Sequence, residues 1–222
     1  MNGDGLPASP EGCQWLYEDE HLLALNKPSG VLSVPGKGAD KQACAWHWAQ
    51  QHYPDALVVH RLDMATSGVL LLARSLVCQR ALGAAFSTRQ VQKRYVAVVA
   101  PELSTRIGEW HSIDLPIGAD WDQRPLRKID PDAGKPSQTR YCALPQVPCA
   151  TSSRVALEPL TGRTHQLRVH LAAIGHPILG DTLYAPPVVQ AMALRLLLHA
   201  ESLAFTHPVT GLPLAIHCDA NF

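Results

Sequence analysis

The sequence predicts an α+β fold in which short strands and a few helices mix without regular alternation. Short apolar segments of strand length are separated by glycine, proline and acidic residues along most of the 222-residue chain. No strand–helix–strand rhythm repeats, which argues against a doubly wound parallel sheet. Hydrophobic residues make up 46% of the chain, enough to bury a core without disulfides or a structural metal.

The N-terminal part predicts a flexible tail followed by short strands. Residues 1–14 are polar and contain glycine and proline, as expected of a tail. Three strands joined by tight turns are predicted from the apolar segments at residues 15–17, 22–25 and 31–34.

The middle of the chain predicts two helices around a deeply buried strand. The first helix is expected over residues 43–51. A continuous apolar run at residues 69–72 is typical of a strand buried on both faces. Ser75 is suited to cap the second helix, because its side chain can accept a hydrogen bond from a free backbone N–H. Strand character returns at residues 94–99.

The second half predicts long loops, a capped helix and two closing elements. Residues 101–150 hold proline, glycine, aspartate and tryptophan in irregular order, so we expect functional loops there, with a weak strand at residues 139–141. Strand character recurs at residues 155–157. Thr164 is expected to cap the helix, and Gly175 to end it. The closing elements are a helix near residues 192–198 and a strand near residues 203–206.

Net charge does not by itself indicate a nucleic-acid partner. Lysine plus arginine and aspartate plus glutamate number 19 each, whereas nucleic-acid binders usually carry a basic excess. Basic residues nevertheless cluster locally, which leaves open either a basic binding surface or ordinary solvated faces. The three clusters are Arg89, Lys93 and Arg94; Arg124, Arg127 and Lys128; and Arg154, Arg163 and Arg168.

Several function classes lose support because their signatures are missing. The sequence has no phosphate-binding P-loop, no Gly-x-Gly-x-x-Gly turn and no Gly-x-Ser-x-Gly elbow, which argues against nucleotide hydrolysis, dinucleotide redox chemistry and standard serine hydrolysis. No apolar run approaches the roughly 20 residues that cross a bilayer. The six cysteines show no Cys-x-x-Cys spacing, so we expect free thiols in a cytoplasmic protein.

Eleven histidines raise the question of a metal site. His165 and His170 are five residues apart, which is about 140° around a helix or opposite faces of a strand, so they do not chelate one ion together. His199 and His207 lack a partner at ligand spacing. We therefore expect hydrogen-bonding histidines and no metal.

The most informative short segment is His60-Arg61-Leu62-Asp63, which precedes a turn and the apolar strand. A charged pair in this position fits either a catalytic carboxylate or a surface ion pair between Arg61 and Asp63. The residues alone leave both interpretations open.

Five ordered motifs carry a resemblance to a known family. They are Asn26-Lys27-Pro28-Ser29-Gly30; His60-Arg61-Leu62-Asp63 followed by Thr66-Ser67-Gly68; Lys93-Arg94-Tyr95; residues 160–170; and the blocks at residues 175–181 and 195–200. Together they resemble the RluA-type family of RNA pseudouridine synthases, from about Trp15 to the C-terminus. Five motifs in the right order make a chance match very improbable, whereas any one alone is weak.

The resemblance implies a pseudouridine synthase fold, with a mixed, largely antiparallel central sheet flanked by helices and loops and an active-site cleft across the sheet. It implies one catalytic domain over residues 15–222, with no N-terminal S4 RNA-binding domain, and a reaction without a cofactor. Residues 63–68 and the stretch from Asp120 to Thr139 resemble members that modify one uridine in 23S rRNA and another in the tRNA anticodon loop. We expect a monomer that binds these RNAs, without membrane or metal.

The resemblance also assigns catalytic roles to three residues. Asp63 is the catalytic carboxylate, acting either as a nucleophile at the anomeric carbon or as a base at the ribose 2′ position, and both routes stay open. Arg163 pairs with it and keeps it ionised against the effect of burial. Tyr95 stacks on the flipped uracil and is suited to accept the proton that leaves carbon 5.

Three further residues are expected to contact the substrate. Arg61 is assigned to the space vacated by the flipped base or to the flanking phosphate. Lys93 shares a strand face with Tyr95, because side chains alternate along a strand, and is expected to position the base. Leu198, or its neighbour Leu197, is expected to form the apolar floor of the pocket.

Two rival functions remain open at this point. One is a non-catalytic RNA-binding module that retains the synthase scaffold, and the other is a related synthase for a different rRNA or tRNA uridine. The intact set of Asp63, Tyr95 and Arg163 argues against the first, since a pure binder gains little from an aspartate that faces phosphates.

Overall fold

The computed structural model describes residues 12–38, 41–145 and 151–222. Its strands are β1 (Gln14–Glu18), β2 (Leu22–Lys27), β3 (Leu57–Val58), β4 (Ser67–Ala73), β5 (Gln92–Val99), β6 (Trp110–Asp114), β7 (Ile117–Ala119), β8 (Arg127–Ile129), β9 (Gln138–Ala143), β10 (Ser153–Pro159), β11 (Leu198–Thr206) and β12 (Pro213–His217). Its helices are α1 (Ala45–His52), α2 (Leu76–Ser87), α3 (Gln166–Ala173) and α4 (Pro187–Gln190). The predicted α+β class is confirmed.

The chain divides into two compact units. The first extends to Val91 and takes in Ala204–Cys218, and the second comprises Gln92–Leu203 and Asp219–Phe222. The tail predicted at residues 1–14 lies mostly outside the described residues, and the assignment of one catalytic domain over residues 15–222 stays a prediction.

An antiparallel sheet forms the core of the first unit. β2 lies between β1 and β4, and β3 pairs with the C-terminal end of β4. All seven residues of β4 are buried, as the apolar run predicts. The helices α1 and α2 begin at Cys44 and Ser75, whose side chains accept a hydrogen bond from the backbone N–H three residues later. Both predicted helices, including the Ser75 cap, are therefore confirmed.

A second antiparallel arrangement forms the core of the other unit. β10 lies between β5 and β9, and β6 pairs with the other edge of β9. β7 and β8 form a separate two-stranded hairpin. The described residues 101–145, where we expected mainly loops, therefore hold four strands. The weak strand predicted at residues 139–141 is confirmed as part of β9. The other three escaped prediction because they are short and much of their length is polar or exposed, which weakens the alternation of apolar residues.

The predicted strand at residues 31–34 is wrong. Within this segment Leu32 makes one isolated bridge, with Cys44. The physical reason is visible at Ser33. Its backbone carbonyl accepts a hydrogen bond from the Trp46 N–H and is not available to a neighbouring strand, and its hydroxyl donates to the Leu62 carbonyl.

The helix predicted near residues 192–198 is also wrong. The helix α4 ends at Gln190, and Leu198 begins β11. Leu197 packs in a cluster with Val98 and Leu179, and Leu198 is not part of that cluster. A short leucine run fits a buried strand as well as a helix, so its periodicity could not decide. The predicted closing strand at residues 203–206 is confirmed as the end of β11.

Candidate active site

Asp63 lies in a tight turn that leads into β4. The N–H of Thr66 donates to the Asp63 carbonyl at 3.0 Å and closes this turn. Gly68 enters the strand with φ of 110°, a conformation that favours glycine. Asp63 is half-buried, between buried Leu62 and exposed Met64. A carboxylate here is partly desolvated and still accessible to a substrate.

The ammonium group of Lys27 ties this turn to the preceding segment. Lys27 is 0% exposed, and its Nζ donates to the carbonyl oxygens of Pro28 at 2.9 Å, Val31 at 2.7 Å and Met64 at 3.2 Å. These three acceptors match the three N–H donors of an ammonium group. The side chain therefore fixes the backbone immediately after Asp63.

Burial lowers the pKa of Lys27 to about 8, and nearby Cys13 and Asp63 oppose that shift. Burial also raises the pKa of the Cys13 thiol to about 11. Lys27 is thus positively charged at neutral pH but close to the point at which it loses a proton.

Two serines hold the backbone on either side of Asp63. The hydroxyl of Ser33 donates to the Leu62 carbonyl at 2.7 Å and accepts from the Leu62 N–H at 3.0 Å. The hydroxyl of Ser29 donates to the Ala65 carbonyl at 2.7 Å. Together with Lys27, these serines bind the main chain on both sides of Asp63.

His60 supports the same loop. Its Nε2 accepts a hydrogen bond from the Leu71 N–H of β4 at 3.0 Å, and its ring stacks on Phe86 with centroids 4.8 Å apart. A nitrogen that accepts from the backbone is poorly suited to transfer protons. Arg61, next along the chain, is exposed and accessible to a phosphate.

In the second unit, Lys93 and Tyr95 lie on the same face of β5. The Nζ of Lys93 donates to the Thr161 carbonyl at 3.1 Å. Lys93 therefore supports the loop that precedes Arg163, which is a positioning contact with protein. Tyr95 is half-buried and pairs with Leu157 of β10.

The packing distinguishes between the two candidate floor residues. Leu197 packs with Val98 on one face of the second unit. Leu198 is 3% exposed and is not part of that cluster. Tyr95 is an odd number of residues from Val98 on β5, so its side chain lies on the face opposite Val98. Leu198 is thus the better candidate for an apolar contact near Tyr95.

Arg163 lies in an exposed loop before α3. Its Nη2 and Nε donate to the Pro136 carbonyl at 3.3 and 3.4 Å, which are long contacts. The predicted cap at Thr164 is wrong. His165 precedes the helix, with φ of 57°, and its side chain makes no capping hydrogen bond. Gln166 engages the loop, because its Oε1 accepts from the Arg163 N–H at 3.0 Å.

A cavity of about 530 Å³ opens beside Arg163, and its wall includes Trp121, Arg127 and Lys135. Trp121 is 69% exposed, and the guanidinium of Arg124 lies 4.1 Å from its ring centroid. Cations beside an exposed aromatic ring suit phosphates and unstacked bases.

The third predicted basic cluster does not form a surface. Arg168 is 4% exposed and donates to both carboxylate oxygens of Asp181, at 2.8 and 2.5 Å. Arg154 donates to the carbonyl of Phe222. Of these three arginines only Arg163 is exposed, because Arg154 and Arg168 make hydrogen bonds within the protein.

The hydrogen-bonding interpretation of the histidines is confirmed for His170 and His207. His170 contacts the Thr139 hydroxyl and the Leu115 carbonyl, each at 2.9 Å, and burial lowers its pKa. His207 contacts the carboxylate of Asp19 at 3.0 Å. Within the described ranges, no group of three or more histidine, cysteine, aspartate or glutamate side chains is arranged to hold a metal ion. None of the helices described is long and apolar enough to cross a bilayer.

Lys27 and Gln166, the residues that hold the Asp63 loop and the Arg163 loop, were not identified from the sequence. Lys27 had a usable signal, since it ends a strand whose first four residues are apolar and precedes Pro28. Gln166 had none, because its partners in residues 138–139 are 27 and 28 positions away.

Comparison with known proteins agrees with these features. The sequence model of a family described as RNA pseudouridylate synthase matches residues 21–173. The dual-specificity RNA pseudouridine synthase RluA of Escherichia coli K12 is 46% identical over 207 residues, which cover 93% of each chain. Its namesake in Yersinia pestis is also 46% identical, over 93% of this chain and 98% of that one. The structure of human RNA pseudouridylate synthase domain containing 1 has a TM-score of 0.78 and 28% identity, covering 96% of this chain and 86% of that one.

Proposed function

The chain belongs to the family of RNA pseudouridylate synthases, and from that premise we propose that it modifies two RNAs, one uridine in 23S rRNA and one in the tRNA anticodon loop. The relatives named dual-specificity synthases support two targets, since they match 93% of this chain. The particular targets rest on the motif resemblance over residues 63–68 and 120–139. The proposal places the enzyme in the cytoplasm, where both RNAs are found.

The single observation that carries the chemistry is the clamped turn at Asp63. Uridine isomerisation breaks the bond between N1 and the anomeric carbon, joins that carbon to C5, removes the C5 proton and leaves a proton on N1. The reaction is redox-neutral, and one fixed carboxylate at the ribose can start it. Asp63 serves either as nucleophile at the anomeric carbon or as base at the 2′ position.

Arg163 and Tyr95 are proposed as the partners of this carboxylate in catalysis. A guanidinium favours the ionised form of a carboxylate in a closed pocket, which burial alone disfavours. Arg163 is exposed and supports this role with an accessible charge. Tyr95 offers a ring for stacking and a hydroxyl for the C5 proton.

Substrate binding is proposed for Arg61, Leu198 and Lys93. Extracting the target base from its stack costs a few kcal/mol, which contacts to the flipped nucleotide must offset. Exposed Arg61 suits the flanking phosphate, and buried Leu198 suits the base. The Lys93 contact to Thr161 favours an indirect role through the Arg163 loop. The cavity beside Arg163 and the exposed Trp121 add a surface for the neighbouring nucleotides.

Pseudouridine mapping tests this proposal directly. Purified protein, without added cofactor, is incubated with a tRNA anticodon stem-loop and with 23S rRNA fragments, and pseudouridines are mapped at nucleotide resolution. We expect one new pseudouridine in each RNA. Modification at a different uridine would support the rival synthase, and binding without modification would support a non-catalytic module.

A further inference from the structure

Gln166 is a buried amide whose hydrogen-bonding capacity is fully used. It is 4% exposed. Its Oε1 accepts from the Thr161 hydroxyl at 2.7 Å and from the Arg163 N–H at 3.0 Å. Its Nε2 donates to the Gln138 carbonyl at 2.9 Å and to the Thr139 hydroxyl at 3.0 Å. Two donors and two acceptors are all that a carboxamide has, so this side chain is satisfied without water.

These bonds join the Arg163 loop to β9. The Thr161 hydroxyl also accepts from the Gln138 N–H at 2.9 Å, and the Thr161 carbonyl accepts from Lys93. The peptide that carries Arg163 therefore cannot shift without breaking bonds at Gln166.

The backbone between Arg163 and Gln166 adopts a strained conformation, which accompanies the hydrogen bond between the Arg163 N–H and Gln166 Oε1. His165 adopts φ of 57° and ψ of 16°, a left-handed conformation that costs a non-glycine residue on the order of 1 kcal/mol. This reversal brings the Gln166 side chain back toward the Arg163 N–H. Such strain persists where surrounding contacts over-determine it, and the four bonds of Gln166 supply those contacts.

The side chain of Arg163 is far less constrained than its backbone. Among the residues that the structure describes, its guanidinium makes only long contacts, of 3.3 and 3.4 Å, to Pro136, and it is exposed. The position of the guanidinium on a substrate therefore depends on the position of the Arg163 backbone. We propose that Gln166 is a positioning residue for uridine isomerisation, which acts through the Arg163 N–H and sets where the guanidinium meets the substrate. This inference rests on the catalytic role proposed for Arg163.

Two substitutions of Gln166 test the inference in single-turnover assays on the tRNA stem-loop. Gln166→Met keeps the length and removes all four bonds, so we expect the single-turnover rate to fall about 100-fold, the loss typical of a misplacement of about 1 Å. RNA affinity should stay within about twofold, because Gln166 is buried. An equal loss of affinity and rate would point to general damage and overturn the inference.

Gln166→Glu adds a readout that a structural lesion does not produce. An ionised glutamate keeps both acceptors but loses both donors, whereas a protonated glutamate regains one. Burial raises the pKa of a carboxyl group. We therefore expect the rate of this variant, relative to wild type, to recover as the pH falls from 8 to 6. A pH-independent ratio would contradict the role of the Nε2 donors.

A double-mutant cycle separates this inference from the proposed function. If Gln166 acts through Arg163, Gln166→Met adds no further loss of rate in an Arg163→Ala background, whereas independent effects multiply. An additive loss, or a wild-type rate for Gln166→Met beside an inactive Arg163→Ala, overturns the inference alone. Full activity of Arg163→Ala overturns the proposed role of Arg163 as well.

Ser153→Ala is the matched control for stability. Ser153 is in the same unit, is 6% exposed, and its hydroxyl accepts from the Leu103 N–H at 2.9 Å. Its loss should lower the denaturant midpoint of unfolding and leave the single-turnover rate unchanged.

Discussion

The loops that carry Asp63 and Arg163 are held by different kinds of chemistry. The Asp63 loop is bound by a buried cation, since Lys27 donates to three backbone carbonyls. The Arg163 loop is bound mainly by the neutral amide of Gln166, with Lys93 donating to the Thr161 carbonyl, and its functional side chain is exposed. In the Asp63 loop the backbone is fixed on both sides of a short reactive side chain. In the Arg163 loop only the backbone is fixed, and a long side chain extends from it.

The two loops also differ in where they respond to pH. Lys27 has a pKa lowered by burial to about 8. In the second unit, Thr139 contacts both Gln166 and His170, and burial lowers the pKa of His170. Lys27 beside the Asp63 loop therefore titrates on the alkaline side of neutrality, and His170 beside the Arg163 loop on the acidic side.

The largest effect is expected at Asp63. Asp63→Asn keeps the size of the side chain and removes its charge, so turnover should fall by at least about 1000-fold, within the range seen when an acid–base group is lost. RNA affinity should be largely retained, because the turn is closed by backbone contacts. Pseudouridine formation and RNA binding are measured on the same sample. Turnover close to wild type in this variant would remove Asp63 from the mechanism.

Lys27→Met tests whether the buried cation holds the Asp63 loop. It removes the donors of three carbonyls but also the desolvated charge, so we expect the free energy of unfolding to fall by about 2 kcal/mol. Amide exchange should accelerate at residues 62–66 more than around Arg163. Ser29→Ala, which removes one bond to the same loop, should cost about 1 kcal/mol. Equal acceleration around both loops would show that they are not independent.

The alkaline response of the first loop can be measured against the same variant. Between pH 8 and 10.5 the unfolded chain keeps a proton that folded Lys27 has released, so the stability contributed by Lys27 rises with pH and is lost as the pH falls through 8. The slope is at most about 1.4 kcal/mol per pH unit. It should appear between pH 8 and 9 in chemical denaturation of the wild type and vanish there in Lys27→Met.

A Cys13→Ser background isolates the lysine. The pKa of Cys13 is raised by burial, so its titration lowers stability between pH 9 and 11 and opposes the Lys27 response. The same slope in the presence and absence of Lys27 would contradict the assignment.

The smallest effect is expected from His170. Its pKa is lowered in the folded state, so the unfolded chain takes up a proton first as the pH falls below 6.5. Stability present above pH 6.5 is therefore lost on acidification, with a slope no steeper than about 1.4 kcal/mol per pH unit. His170→Gln should show a flatter profile between pH 7 and 5 in chemical denaturation. An unchanged profile would assign the acid response to other groups.

The sequence predicted those parts of the molecule whose determinants are local. The apolar run of β4 and the Ser75 cap depend on a few adjacent residues, so they could be found. The contact between Lys27 and Met64 joins positions 37 apart, and only the folded chain reveals it. Leu198 was assigned to a helix because three consecutive leucines fit either a helix or a buried strand.

The candidate site shows the same limit. The ordered motifs led to Asp63, Tyr95 and Arg163 as candidates, and the structure describes the surroundings of each. Gln166, which supports the Arg163 loop, was not predictable, because a buried polar contact has no periodic signal in the sequence. The backbone before α3 also differs from the prediction. His165 adopts a left-handed conformation, which displaces the cap expected at Thr164.

The burial of Lys27 gives the enzyme an internal chemical reporter. An amine with a pKa of about 8 has an appreciable neutral fraction near physiological pH, so it is intrinsically reactive toward acylating reagents. At 0% exposure, however, a reagent reaches it only when the surrounding chain opens. The rate at which Lys27 is labelled, read by mass spectrometry, therefore counts the openings of the Asp63 loop, and bound RNA that closes over this loop should slow the labelling.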